Sequence, residues 1–420
     1  MAGSNDKKSI RMHIEDDKTS MLFFLFLALL YSVVAMTKNC FSSALAAIVS
    51  EGIMKKSQAG LITSSFYLFY GPLQIVGGIL ADKHSPEKMV KIGLAGSVLA
   101  NAVIFFNHNY YVMLVAWVGN GISQMALYPA MFKMVTSQLS PNWRKKGIYY
   151  FSFTGTIGLM FSYIVAAFVT KWEYNFLLSA ILSLGLFVAL DVIYRRVKVK
   201  MTPDETPLPM KQNDAKTKKI STIKLFATTG FLLLLPVGVL RYMIDNSIKT
   251  FTPTMMIESY HNMSITVSNL LNVFVIISGL LGMILVRKIL FPKVMRNEVS
   301  VTLLLLALVL PFAFVIKFTG KIDVLMIIVA MCIASALLSG ASLMNGFING
   351  SFSKYGKNGT AAGAYNAASS IGVVLQSYGF TSIADHFGWG VVTDVYIIGT
   401  LVCVIFAALA LPLWRKFKNQ

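Results

Sequence analysis

The feature that most constrains this chain is a repeat of long, uncharged apolar runs; Met21–Met36, with no Asp, Glu, Lys or Arg, is the plainest. A window of about 19 residues finds twelve stretches long enough for the ~30 Å hydrocarbon layer of a bilayer. They fall near 20–49, 59–81, 88–107, 110–138, 147–170, 175–195, 224–257, 264–286, 298–316, 322–352, 358–383 and 389–413. The runs are continuous and do not alternate with period two, which excludes barrel strands. Backbone polar groups find no water partner in lipid, so each run is expected to be a helix. With 56% hydrophobic and 13% charged residues, too little polar surface remains to cover a soluble protein of 420 residues. The chain reads as an all-α integral membrane protein.

A net charge of +19 raises the possibility of nucleic acid, and the placement of the charge decides against it. With the N-terminus inside, the inner segments hold 28 Lys and Arg and the outer loops hold 5. The basic residues therefore read as a topogenic signal, with both termini cytoplasmic and no nucleic-acid partner. Residues 1–19 mix acidic and basic side chains ahead of a run without a cleavage site, so the first run is expected to be retained as a span. One inner loop is long. Residues 196–223 combine three Pro with many charges, and they divide the chain into a six-span half at 1–195, a linker, and a six-span half at 224–420. The halves match the organisation of the major facilitator fold, in which two six-helix units are related by an axis along the membrane normal.

Three cysteines (Cys40, Cys332 and Cys403) are scattered through apolar stretches, so neither a disulfide framework nor a metal site is expected. Phosphate-cradling glycine loops, paired metal-ligand motifs and serine-nucleophile elbows are all missing. No enzyme activity and no cofactor is expected.

The intramembrane charges carry the functional signal. A Lys or Arg deep in a span costs at least ~2.5 kcal/mol on insertion scales, and such residues usually face a cavity and mark a solute path. Arg241 lies midway along its run, with Asp245 and Lys249 following at i+4 and i+8 on one helical face. That spacing predicts an Arg241–Asp245 pair. Lys38 is also mid-span, and Lys133 lies nearer a cytoplasmic end, where it can snorkel. Polar side chains gather on the same spans: Tyr67, Tyr70 and Gln74; Tyr149, Tyr150, Thr154 and Thr156; Asn345 and Asn349; Tyr365 and Asn366. A polar central cavity is expected. After the second span comes Gly77-Gly78-Ile79-Leu80-Ala81-Asp82-Lys83-His84-Ser85-Pro86-Glu87-Lys88, where glycines permit close helix approach and Asp82, Lys83 and Lys88 suit an ionic gate.

That loop resembles the major facilitator signature, and wider motifs narrow the likeness. Lys38-Asn39 with Glu51-Gly52, Tyr70-Gly71, Pro129 with Lys133, Arg144-Lys145-Lys146-Gly147, Leu240-Arg241-Tyr242, Pro253-Thr254, Gly359-Thr360-Ala361-Ala362-Gly363 and Asp385-His386-Phe387-Gly388-Trp389 occur in that order. Together they resemble the organophosphate:phosphate antiporter family, which includes the glycerol-3-phosphate and hexose-phosphate transporters. The resemblance implies a phosphate site built on one arginine from each half, with a lysine in the second span and a histidine in the fifth. Here the second-half arginine is Arg241, the first-half position falls on Thr37 beside Lys38, the lysine position reads Gln74 and the histidine position falls at or near Thr156. Much of the family's phosphate-binding charge is thus absent.

The expected function is secondary active transport of a small organic anion, phosphorylated or carboxylated, by alternating access. Substrate contacts are expected from Arg241, Lys38, Tyr242, Tyr70, Gln74, Thr156, Asn345 and Asn366, with Asp245, Asp82, Lys83 and Lys88 in coupling or gating. The coupling ion would be phosphate or a proton. The protein is expected to act as a monomer in a bacterial inner membrane. A membrane sensor of a sugar phosphate and a drug efflux transporter are the alternatives.

Overall fold

The computed structural model describes residues 12–169, 171–203, 221–352, 355 and 357–419, with the side chains of Ile75, Asp82, Lys145 and Asn358 outside that description. The described residues are helical almost throughout. The first half contains α1 (Asp17–Ser50), α2 (Lys56–Lys83), α3 (Pro86–Phe106), α4 (Tyr110–Gln124), α5 (Leu127–Ser137), α6 (Pro141–Phe168) and α7 (Glu173–Lys198). The second contains α8 (Thr222–Thr228), α9 (Phe231–Ser259), α10 (Ile265–Leu285), α11 (Glu298–Ile316), α12 (Val324–Gly350), α13 (Asn358–Val374), α14 (Thr381–Phe387) and α15 (Trp389–Lys418). Among the described residues, nine helices are long and apolar enough to cross a membrane. The other three expected crossings fall on the more polar α2, on the broken pair α4 and α5, and on α13 and α14 joined by a π-helical turn at Leu375–Phe380.

The breaks have local causes. Pro129 has no N–H to return to the Met125 carbonyl, so the expected 110–138 helix divides at Met125–Ala126. Gly77 of α2 packs onto the freed carbonyl, and a Cβ there would lie 2.4 Å from the Met125 oxygen. The expected 224–257 run divides at Gly230, whose φ of +77° favours glycine. Pro253 inside α9 leaves the Lys249 carbonyl without its helical donor, and the Asn272 side-chain amide of α10 donates to it at 2.7 Å. One residue on, the Thr250 carbonyl accepts from the Tyr163 hydroxyl of α6 at 2.9 Å.

One element departs from an all-helical reading. Residues β1 (Met12–Ile14) and β2 (Met201–Pro203) form a two-stranded antiparallel ribbon. Ile14 is fully buried, and its N–H donates to the Gln138 carbonyl at 2.9 Å. The start of the expected linker is therefore pinned to the end of α5; residues 204–220 lie outside the described residues. The three-residue strands are too short for a period-two pattern to register in sequence.

The packing repeats between halves. In the first, α1 packs on α6 and α7, α3 on α7 and α4, and α2 on α4; in the second, α9 packs on α13 and α15, α11 on α15 and α12, and α10 on α12. Between halves, α6 meets α10 and α2 meets α13 and α14. The buried apolar side chains show how the halves close. One continuous core takes Phe41, Phe66 and Trp117 from the first half and Ile248, Phe251, Phe380 and Tyr396 from the second. Towards the ends that carry the ribbon and α8, the core divides into a first-half cluster around Phe24, Met131 and Phe151 and a second-half cluster around Phe231, Phe352 and Trp414. The molecule is joined at one end and split at the other.

Candidate functional site

Three charged residues of α9 converge on one turn of α12. Lys249 Nζ lies 2.6 Å from Asp245 Oδ1 and donates to Ser339 Oγ at 2.6 Å. Ser339 in turn donates to Asp245, at 3.3 and 3.4 Å from its two oxygens. Arg241, one turn earlier, donates from Nη1 to the Leu338 carbonyl at 3.3 Å, and its guanidinium lies 5.7 Å from the Tyr242 ring centre. The expected Arg241–Asp245 pair is not formed. Lys249 sits equally far along the helix from Asp245, and Gly279 of α10 leaves room for its stem, so the carboxylate goes to the ammonium. Arg241 is 2% exposed, and no carboxylate among the described residues lies within ion-pair distance of it.

The first half presents Lys38 from α1. Its ammonium lies 5.5 Å from the Tyr70 ring centre and 5.8 Å from that of Tyr31, a cation–π setting, and no ion pair joins it to a carboxylate among the described residues. Thr37, to which the resemblance assigns the first-half arginine, faces the other way. It is fully buried, donates to the Val34 carbonyl at 2.9 Å and receives Ser97 Oγ of α3 at 3.4 Å. Behind it Asn101, Gln124 and Asn120 continue a buried polar network that binds α1, α3 and α4 together. Lys38, not Thr37, is thus the first-half cation on the inter-half side. Tyr70 and Tyr67 lie close enough to Tyr242 for their hydroxyls to interact electrostatically, and Gln74 neighbours the Tyr70 hydroxyl. Lys38 with Tyr70 in the first half and Tyr242 with Arg241 in the second thus lie within electrostatic range of one another across the halves.

Other expected contacts are not drawn in. Thr156 and Asn345 are half-buried and Asn366 is exposed. No hydrogen bond or ion pair joins any of the three to Lys38 or Arg241 among the described residues. The side chain of Asp82 lies outside the described residues; Lys83 and Lys88 are exposed at the same end. Lys133 does not simply snorkel: its ammonium donates to the Ala81 carbonyl at 2.7 Å, in the last turn of α2, where a cation favours the helix dipole.

A second constellation, which the sequence did not announce, seals the joined end. Lys56 at the start of α2 lies 2.8 Å from Glu258 at the end of α9 and 3.9 Å from Asp385 at the end of α14. Trp389 Nε1 also donates to Glu258, at 2.8 Å, and Lys56 lies 5.8 Å from its ring centre. At the opposite end Arg287, two residues past α10, lies 4.1 Å from the ring centre of Tyr149 of α6.

Comparison with known proteins agrees with this fold. Residues 27–377 match the Major Facilitator Superfamily. The "Probable hexose phosphate transport protein" of Chlamydia pneumoniae is 22% identical over 415 residues, covering 91% of this chain and 89% of that one. The "Membrane sensor protein UhpC" of Escherichia coli (strain K12) is 27% identical over 110 residues, only 26% of this chain and 25% of that one. A crystal structure of a bacterial homologue of the human lysosomal transporter Spinster, inward-facing and unoccupied, superposes with a TM-score of 0.69 at 14% identity, covering 96% of this chain and 98% of that one.

Proposed function

The chain belongs to the major facilitator superfamily, and we propose that it moves a small organic anion, phosphorylated or carboxylated, by alternating access. The observation that carries this reading is Arg241: a guanidinium at mid-helix, buried, resting on a carbonyl and without a carboxylate partner among the described residues. A buried cation is costly unless an ion offsets it, so the site favours an anion. Lys38 supplies the facing charge from the other half, and Tyr70 and Tyr242 the hydroxyls between. The united core at one end and the divided cores at the other support a state open toward the linker side, which the basic-residue bias assigns to the cytoplasm. Asp82, Lys83 and Lys88 then belong to the gate that closes that side, as the core at the joined end opens. We take the protein to work as a monomer in a bacterial inner membrane, driven by an exchanged anion or a cotransported proton.

A sensor that binds without appreciable flux is the second reading, favoured by the partial match to the membrane sensor protein. Drug efflux is disfavoured, because the one mid-span carboxylate among the described residues is held by Lys249, while Arg241 and Lys38 have no carboxylate partner among them.

The test is a thermal-shift screen with inorganic phosphate, glucose 6-phosphate, glycerol 3-phosphate and gluconate, run on the wild type and Arg241→Ala. A ligand at a hundred times its dissociation constant stabilises the folded state by about 2.7 kcal/mol. Stabilisation by one of these anions that falls to about half or less in Arg241→Ala is the expected result; equal shifts in both proteins would refute the site. Loading of liposomes by the binding anion separates carrier from sensor.

A further inference from the structure

We propose that Asp245 and Lys249, bridged by Ser339, form the station where a proton is taken up and released in each transport cycle. The inference rests on the anion-carrier reading and adds the coupling ion to it. Asp245 is the fifteenth of the 29 residues of α9, about 21 Å of helix from either end. Every other acidic residue among the described residues lies in a loop or within about two turns of a helix end. A carrier that moves protons on a carboxylate at mid-membrane therefore has a single candidate among the described residues.

Its surroundings suit the task. Of the helices packed on this part of α9, α10, α12 and α13 contain no Asp, Glu, Lys, Arg or His at all, and the Asp394 carboxylate of α15 is paired with Lys317 at 2.6 Å. The charged and titratable groups around the pair are Arg241, Tyr242 and Lys249 on α9 itself, Lys38 on α1, Cys332 on α12, Tyr365 on α13, and Tyr396 and Cys403 on α15. Ser339 accepts from the ammonium and donates to the carboxylate, so it can keep a hydrogen bond to either residue if the ion contact breaks. The pair is only 10% exposed on each side chain, so its protonation change occurs where charges interact strongly.

The step balances simply. A proton from water on the open side bonds to a carboxylate oxygen of Asp245, which becomes neutral. The ion contact to Lys249 is lost, while Lys249 keeps its charge and its three N–H donors. The site then carries one more positive charge two turns from Arg241, which strengthens anion binding. Release of the anion restores the pair and expels the proton. Proton and anion affinities are linked reciprocally, which is the thermodynamic content of symport.

The experiment uses purified protein in proteoliposomes, with glucose 6-phosphate and gluconate as probes, and compares accumulation driven by a pH gradient with counterflow at equal pH. The ratio of the two should fall about tenfold in Asp245→Asn. Because that variant leaves Lys249 unpaired, Asp245→Asn/Lys249→Gln is assayed beside it and should show the same loss. Infrared difference spectroscopy on detergent-purified protein needs no solute: acidification should raise a carboxyl band that is missing from Asp245→Asn. Gradient-driven accumulation that survives in the double variant, or a wild type without a pH-sensitive Asp245 band, overturns the proposal. A wild type that shows the band yet exchanges neither probe upholds the proton site and counts against the anion-carrier reading instead.

Discussion

The carboxylate of Asp385, at the end of α14, accepts a hydrogen bond of 2.6 Å from the backbone N–H of Ser57, the second residue of α2. The first N–H groups of a helix have no partner within it, and a carboxylate there acts as an N-cap. This cap comes from the opposite half of the molecule. Opening the joined end would leave the Ser57 N–H without its cap, so the bond stabilises the closed arrangement specifically.

Asp385→Ala should therefore shift the protein toward the state open at the joined end. An N-cap is typically worth about 0.5–2 kcal/mol, which changes the ratio of the two states roughly twofold to thirtyfold. Spin-label distances between α2 and α14 report the shift. Unchanged distance distributions in a folded Asp385→Ala would show that the cap follows closure without stabilising it.

Lys56 and Glu258 add to the same seal, but their side chains are 14% and 30% exposed, so each contributes less. Exposed pairs are worth about 0.2–1 kcal/mol. Lys56→Glu should open the joined end by that amount, and Lys56→Glu/Glu258→Lys should close it again. Failure of the reversed pair to recover would implicate Asp385 and Trp389 as the partners that matter.

At the central site, charge-assisted hydrogen bonds contribute about 1.5–3 kcal/mol each, so Arg241→Ala should weaken anion binding by roughly tenfold to a hundredfold. Arg241→Lys should recover part of the loss, because a point charge replaces only part of the guanidinium fork. Lys38→Met should weaken binding less, since its charge already rests against two rings. Isothermal titration with whichever anion binds ranks the three, and a Lys38→Met defect larger than that of Arg241→Ala would reverse the assignment.

What the sequence conveyed, and what it withheld, follows the physics of each signal. Apolar run length is a property of one segment, so the helices were legible, and Arg241 and Lys38 were visible as charges where lipid forbids them. Pairing between segments is a different matter. Spacing of i+4 placed Asp245 equally near Arg241 and Lys249, and the choice depended on Gly279 and Ser339 from two other helices. Thr37 and Lys38 are adjacent in sequence yet face α3 and α2 respectively, a distinction that a rotation of about 100° per residue makes and a motif comparison misses. The Lys56–Glu258–Asp385–Trp389 cluster joins four chain segments, and no window of sequence contains it. Pro253 removes one donor inside α9, and the group that takes over the freed Lys249 carbonyl, the Asn272 amide, belongs to the neighbouring helix.

Orientation is open to direct test. Single cysteines replacing Thr202, in the ribbon, and His261, after α9, should react with membrane-impermeant thiol reagents from opposite sides, with Thr202→Cys modified from the cytoplasm. Modification of both from one side would end the two-half topology.

The glycines of α10 allow the coupling station to be perturbed without touching its charges. An added Cβ at Gly282 would lie 2.1 Å from the Ala336 carbonyl oxygen, and backbone cannot rotate away. Gly282→Ala should force α10 from α12 and cost about 1–3 kcal/mol, seen as a lower unfolding temperature in detergent. At Gly279 the nearest atoms are Ser339 Oγ at 2.9 Å, Ser335 Oγ at 3.0 Å and Lys249 Cε at 3.1 Å, all side-chain atoms. Gly279→Ala should therefore fold more stably than Gly282→Ala while displacing the lysine from Asp245. Gly346 of α12 meets nothing within 4 Å, so Gly346→Ala serves as a control that gains helix propensity, up to about 1 kcal/mol. If the pair sets proton coupling, Gly279→Ala alone among the three should alter the response to a pH gradient out of proportion to its effect on stability. A Gly279→Ala protein with unaltered gradient response would mean that the position of Lys249 is immaterial to coupling, whatever Asp245 does.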